Sequence, residues 1–268
     1  MLPHPKTKLP MKLFRRPIHC LGFEIRRARK AGKSGVPASV DRSIGDIRTF
    51  LEDIRERGFD PQGIIDVGAN RGSWTKMARR VFPGVPVVLI EPQQEMEIHL
   101  RELCDSAENL EYVLAGAGAE EGQLVQTIWE DLVGSSFLPA IDEKQLRDGI
   151  QRVTPVVTID AILRDRKDFK PDLVKLDIQG FELEALKGAG SLFGRTEVFI
   201  LETSLFHYVP GIPLTADCIR FMSEKGYGLY DITEYSRRPL DGALGQVDLA
   251  FALDGGLLRR SQEWSGTR

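Results

Sequence analysis

The chain has 268 residues, 42% of them hydrophobic and 28% charged, with a formal net charge of −3 at pH 7. That length suits one large α/β domain with a substantial core, and the proportions are those of a soluble globular protein. No apolar run approaches the roughly 18 residues of a membrane span, and Cys20, Cys104 and Cys218 lack metal-ligand spacing, so they read as buried thiols in a reducing compartment.

Taken in order, residues 1–35 carry ten Lys/Arg and one acid, Glu24, which leaves the remainder strongly acidic. Phe14, Ile18, Leu21 and Ile25 recur at helical spacing, interrupted near Pro17. Two readings stand: a solvated extension that packs its stripe on the domain, or a contact with an anionic membrane surface or lipid-linked glycan. Nucleic acid is disfavoured, because the core is acidic and lacks aromatic-basic interleaving. The charges are followed by no apolar h-region, so the expected location is cytoplasmic, membrane-peripheral if the arm docks. Gly32–Pro37 reads as a linker, giving an arm over 1–45, one domain over 46–254 and a flexible tail over 255–268.

Ile47, Phe50, Leu51 and Ile54 form a helical stripe ended by Gly58. Ile64–Gly72 (IIDVGANRG) then predicts a buried strand that ends in an acid and turns on glycines. Trp74, Met77, Ala78 and Val81 give the next helix, with Ser73 as its expected N-cap and Pro83-Gly84 as its stop. Val87–Ile90 is a second buried strand, again ending in an acid, Glu91, followed by Pro92. In a nucleotide-binding βαβ unit an acid at this point accepts the ribose hydroxyls. The turn is not G-x-G-x-x-G, so a pyrophosphate site is not spelled out, and an acid just before it suits a ligand with an amino group. S-adenosylmethionine has an ammonium, a sulfonium and a ribose but no phosphate, and is the predicted cofactor. The expected binding residues are Asp66, Gly68, Asn70 and Glu91, with Ala69, Gly72, Thr75 and Pro92 beside them. An NAD-dependent oxidoreductase and a non-catalytic nucleotide-binding module are the alternatives.

Met96, Leu100 and Leu103 mark a further helix, and Leu110–Val113 a third strand. Ala115–Gly118 is either an edge for a flat adenine ring or a plain turn of small residues. Residues 119–158 interrupt the alternation: Leu124–Trp129 and Val153–Thr158 predict a strand pair around a polar helix near Asp142–Asp148. An insertion at this place is expected to form a rim over the strand ends. Leu173–Leu176 is the fourth core strand and ends in Asp177. Gly180 opens the next helix, with Leu183 and Leu186 inward. Val198–Leu201 is the fifth strand, ending in Glu202. A helix with Leu214, Cys218, Phe221 and Met222 closes at Gly226, and Gly228–Ile232 and Val247–Leu253 are the last strands. The order predicts a doubly wound, seven-stranded Rossmann-like α/β sheet with an antiparallel last strand.

DVGANRGSWT (Asp66–Thr75), LIEP (Leu89–Pro92), VVTIDAIL (Val156–Leu163), LVKLDIQGFELEALKGA (Leu173–Ala189) and LET (Leu201–Thr203) resemble the FkbM-type methyltransferase family. The resemblance runs from about Ile64 to about Leu253. It implies a methyltransferase sheet, S-adenosylmethionine as cofactor, and O-methylation of a sugar, glycan or secondary metabolite. The Ser-rich segment Gly134–Phe137 matches one the family often carries. Amino methylation of bases usually employs an (N/D)-P-P-(Y/F) loop after the fourth strand, where this chain reads Leu176-Asp177-Ile178-Gln179.

A hydroxyl acceptor needs a group to take its proton. Asp177 matches the aspartate of the family's K-I/L-D motif and could act as base, metal ligand or acceptor contact; the bland reading is a helix cap. Glu182 matches a family acid, against a first-turn glutamate favoured by the helix dipole. Glu202 could complete a three-carboxylate cluster with these two. No metal is predicted, but such a set would suit Mg²⁺ better than Zn²⁺. His207 could deprotonate a hydroxyl, although the family has no hallmark histidine here and a lone loop histidine is more often structural. Trp74, Phe137, Phe206 and Tyr208 could shape the acceptor pocket or simply pack in the core.

Overall fold

The structure is a computed structural model and describes residues 42–130 and 132–264. The basic arm and its stripe lie outside the described residues.

The first helix, α1 (Ile47–Glu56), starts at Asp46, whose carboxylate accepts the Thr49 N–H at 2.8 Å and so satisfies one orphan donor of the first turn. It is followed by β1 (Ile64–Val67), α2 (Ser73–Val81), β2 (Val87–Ile90), α3 (Glu97–Asp105) and β3 (Leu110–Val113). A second, small sheet comes next, formed by β4 (Gly116–Ala117), β5 (Gly122–Thr127) and, after α4 (Glu143–Arg147), β6 (Gln151–Val157). The main sheet resumes after α5 (Ile159–Arg164) with β7 (Leu173–Leu176), α6 (Glu182–Lys187), β8 (Val198–Ser204), α7 (Thr215–Glu224), β9 (Tyr227–Arg237) and β10 (Leu244–Leu253).

The seven strands run in the order β3-β2-β1-β7-β8-β10-β9, parallel except for β10, which is antiparallel to both neighbours. β1 is central. β1, β2 and β7 are buried at every residue, as expected of strands covered on both faces. On one face Ile65, Val67, Val88, Ile90, Val174 and Leu176 pack with residues of α5, α6 and α7. On the other, Ile64, Val87, Leu89 and Leu173 meet Phe50, Leu51 and Ile54 of α1, Ala78 of α2 and Leu100 of α3. Asp66 and Lys175 are the charged residues inside these three strands, and they are register partners on adjacent strands.

Several local expectations change. The N-cap of α2 is Gly72, held at φ 70°, rather than Ser73, because the turn leaves the strand through a left-handed residue. Gly116–Ala117 is a short strand paired parallel to β6, not a plain turn. β8 runs on to Ser204, since β10 pairs along its whole length, and this places Glu202 within the strand opposite Asp248. The helix α5, capped by the Thr158 hydroxyl, lies in a stretch whose six residues are too few to show a period. Just past β10, the Leu258 N–H donates to Glu197 at 2.8 Å. Cys104 and Cys218 are free thiols. Among the described residues no helix is long and apolar enough to cross a membrane.

Candidate active site

The sheet reverses its direction of growth between β1 and β7, and a crevice opens at their carboxyl ends. Gly68 leaves β1 at φ 80°, and a Cβ there would lie 1.9 Å from the Asp177 carbonyl oxygen. Only glycine permits this approach. The turn that follows uses its own donors: Gly68 and Ala69 N–H bond to the Ile90 carbonyl at 2.9 and 3.2 Å, and Gly72 N–H to that of Ala69 at 2.7 Å. Asn70 N–H donates to Glu91 Oε2 at 2.8 Å, and Arg71 N–H to the Asn70 side chain at 2.9 Å.

A cleft of about 130 Å³, open at its mouth, lies over this turn. Of the residues expected at a cofactor, Gly68, Asn70, Glu91, Pro92, Ala115 and Asp177 line it. Asp66, Ala69, Gly72 and Thr75 do not. Asp66 is fully buried beneath the turn, where it accepts the Thr75 hydroxyl at 2.6 Å; its other oxygen has no partner. Burial pushes the Asp66 carboxyl above its usual range, and the Lys175 ammonium only partly offsets this. Ala69 packs in the core, and Gly72 makes room for Leu103 at the start of α2. These four residues shape the turn from behind.

Glu91 is held at both oxygens, since Oε1 also accepts from the Gln93 N–H at 3.0 Å and the Gln93 amide at 3.2 Å. Burial raises its pKa. The insertion reaches this carboxylate indirectly. The Leu132 carbonyl, on a residue at φ 60°, accepts from the side chains of Asn70 and Gln93, each at 3.1 Å. The Ser135 hydroxyl donates to Gln93 Oε1 at 3.1 Å. Val133, Ser135 and Phe137 complete the cleft wall with Gln126. Phe137 packs against Phe181, with ring centres 5.4 Å apart.

The carboxylates after β7 divide into different roles. Lys175, almost wholly buried, donates to Asp177 Oδ2 at 2.8 Å and lies 5.9 Å from the centre of the Trp74 ring. Burial would discharge this ammonium, but Asp177, Asp66 and Asp248 around it keep its pKa above the ordinary value. Burial likewise opposes ionisation of Asp177, yet the Lys175 charge outweighs it and holds that carboxyl below its usual range. The Asp177 side chain remains 34% exposed.

Gln179, at φ 56°, donates one amide to both Asp177 at 3.2 Å and Glu202 at 2.9 Å. Burial and then the charges of Asp177, Glu182 and Asp248 drive Glu202 well above the carboxylate range. The two carboxyls are thus driven apart, Asp177 toward its ionised form and Glu202 toward its protonated one. Glu182 is 2% exposed, and its Oε1 accepts the Ile178 and Gly180 N–H groups at 2.9 and 3.2 Å. It clips the turn from β7 into α6 rather than facing an acceptor, and burial lifts its pKa to about 7.

Among the described residues no group of three or more His, Cys, Asp or Glu is arranged to hold a metal ion, so Asp177, Glu182 and Glu202 do not form the cluster considered from sequence. Their oxygens face an ammonium, a glutamine amide and two backbone N–H groups instead. His207 is exposed on the loop after β8, with Nδ1 3.2 Å from the Ile212 carbonyl. Tyr208 bonds Ser204 and Gln246, and Phe206 carries the Arg238 guanidinium 4.0 Å over its ring. Lys175, Gln179 and Asp248 escaped the sequence reading. Lysine and glutamine flanking Asp177 at alternate positions were the available signal for the first two; Asp248 had none, being brought in by a distant antiparallel strand.

A central parallel sheet with this strand order, an antiparallel end and a glycine turn between two acid-tipped strands defines a Rossmann-like protein of the methyltransferase type. The family described as the methyltransferase FkbM domain matches residues 66–229, and the chain belongs to it. A curated relative, methyltransferase sdnD of Sordaria araneosa, is 26% identical over 153 residues, which are 47% of this chain and 59% of that protein. The chain thus spans less than two thirds of this relative. Among solved structures, the methyltransferase FkbM of Methylobacillus flagellatus KT aligns with a TM-score of 0.44 at 19% identity, covering 70% of this chain and 43% of that one. Magnesium protoporphyrin IX methyltransferase (ChlM) of Synechocystis PCC 6803, with bound SAM, aligns at 0.43 and 12% identity, covering 77% and 76%.

Proposed function

We propose that the chain is an S-adenosylmethionine-dependent O-methyltransferase acting on a hydroxyl of a sugar, glycan or secondary metabolite. The observation that carries the cofactor reading is the state of the glycine turn, where every N–H from Gly68 to Gly72 is already bonded within the protein. A dinucleotide's pyrophosphate is bound through such groups. Here none is free, and Glu91 and Asp177 present carboxylates in their place. A ligand with ammonium, sulfonium and ribose but no phosphate fits that set of charges.

The cofactor, when bound, supplies a methyl group on a positively charged sulfur. Glu91, fixed by Asn70 and Gln93, offers its remaining lone pairs to the ribose hydroxyls. Gly68 keeps the turn clear of side-chain atoms. Asp177, kept ionised by Lys175 and partly open to the cleft, takes the proton of the acceptor hydroxyl. Glu202, with its pKa raised by burial and by the Asp177 charge, tends to keep its proton, which limits the negative charge of this carboxyl pair. A hydroxyl acceptor is favoured by this base, and the sequence after β7 lacks the loop usually employed for the amino groups of nucleic-acid bases.

Calorimetric titration with S-adenosylhomocysteine and with NAD tests the cofactor. Binding of the former alone is expected, and binding of NAD alone sinks the reading. The acceptor is tested by mass spectrometry of glycans and metabolites from cells with and without the gene. The same methyl ethers in both would end the hydroxyl assignment.

A further inference from the structure

Gln126, at the end of β5, is 2% exposed and lines the same cleft as Glu91 and the small residues Ala115–Ala117. Its Oε1 is buried and has no hydrogen-bond partner. Among the described residues that line the cleft, it is the side chain with such an atom. The other amides there are committed: Asn70 and Gln93 to Leu132, Gln179 to Asp177 and Glu202. A buried acceptor left unpaired is costly, and proteins satisfy nearly all of them. One in a ligand cleft implies a donor on the ligand.

The surroundings say which part of the ligand supplies it. Gly116 has no side chain because a Cβ there would lie 2.6 Å from the Phe137 ring, so the wall beside Gln126 is flat and apolar. Glu91, the ribose-binding carboxylate in the reading above, lines the same cleft and fixes the order sugar, then base. The backbone of Gln126 is fixed by the small sheet. It faces Arg152 across the β5–β6 pair, and Arg152 forms an ion pair with Glu95, just beyond Glu91.

We propose that Gln126 reads the adenine of the bound cofactor: its carboxamide oxygen accepts from the exocyclic amine, and its amide nitrogen faces the neighbouring ring nitrogen. A glutamine amide and an adenine edge are matched donor for acceptor at both positions. The small hairpin sheet thereby becomes the element that selects adenine, while the glycine turn and Glu91 hold the ribose. The inference rests on the S-adenosylmethionine reading of the cleft.

The test is calorimetry on the full chain with two ligands: S-adenosylhomocysteine, and its analogue in which hydrogen replaces the 6-amino group. The wild type is expected to bind the analogue about 10- to 100-fold more weakly. In Gln126→Met, which keeps the length without the amide, that ratio should collapse to about one, whereas Gln126→Glu, which keeps an acceptor, retains a preference for the amine. Circular dichroism checks that each variant is folded. Equal binding of both ligands by the wild type overturns the proposal whether or not the variants fold. A preference that survives in Gln126→Met overturns it too. If neither ligand binds the wild type, the cofactor reading itself fails, an outcome distinct from binding without discrimination.

Discussion

Asp177 and Glu202 share one glutamine amide, yet Lys175 holds the first ionised while burial and like charges keep the second protonated. A pair of carboxyls driven apart in this way separates an ionised member, which can accept a proton, from a protonated one. Asp177→Asn retains size and the contact with Gln179 but removes basicity. Turnover should fall about 10²- to 10⁴-fold, with S-adenosylhomocysteine affinity changed only a few-fold by calorimetry. The variant should also melt lower than the wild type, because Lys175 loses its direct partner. Turnover that survives would move the base elsewhere. EDTA should leave the wild type unaffected, since these oxygens face nitrogen donors. Glu182 gives a second prediction, in stability. Folding raises its pKa from 4.5 to about 7, so the stabilisation it gives when protonated is complete below the unfolded value. It is lost as pH rises through about 7. Glu182→Gln can still accept the Ile178 and Gly180 N–H groups without ionising. It should be the more stable protein at pH 8, by up to about 3 kcal/mol, and match the wild type near pH 4. Melting curves across that range check this; parallel curves would show that Glu182 does not titrate there. Asp248, also raised to about 7, leaves part of the slope in place.

At the level of elements, legibility followed how local each cause was. β1, β2 and β7 begin and end where the apolar runs do, because strands covered on both faces are apolar at nearly every position. The acid tips Glu91 and Asp177 were legible for the same reason, and both line the cleft. Asp66 was legible as a strand acid but not as a buried one, since its depth depends on Thr75 and on Lys175 one strand away. β8 ran past its expected end because β10, more than forty residues later, pairs with it to Ser204. Glu202 therefore moved from a tip to a strand interior. The Ser73 cap failed because φ 70° at Gly72 sets the first turn, and no side chain there accepts a cap bond. Gln93 and Gln126 were invisible. A glutamine two residues beyond a strand acid, or at the end of a hairpin strand, has no spacing that separates it from a surface residue. Both acquire meaning only when Leu132 and the cleft are in place.

The cleft is walled by segments from much of the chain: the exits of β1, β2 and β7, the small sheet, and the segment through Leu132 and Ser135. A ligand seated there joins the main sheet to the small one, so its effect should appear in both. S-adenosylhomocysteine at about 100 times its Kd stabilises the folded state by about 2.7 kcal/mol through mass action. For a domain of this size that corresponds to a rise in Tm of about 5–10 °C. Mass action alone does not say where the ligand sits, and hydrogen exchange does. Protection is expected together at Asn70, whose N–H is bonded to Glu91, at Gln93, and through the 126–137 stretch that these side chains hold. The N–H groups of Thr127 and Ser136, which bond across that stretch at 2.9 and 3.1 Å, are suitable reporters. Protection limited to residues 66–93, with Thr127 and Ser136 exchanging at the free rate, would mean that the small sheet is not a wall of the occupied site. A matched rise at both sets would show the two sheets closing on one ligand, as the two side-chain amides of Asn70 and Gln93, which tie Glu91 to Leu132, lead one to expect.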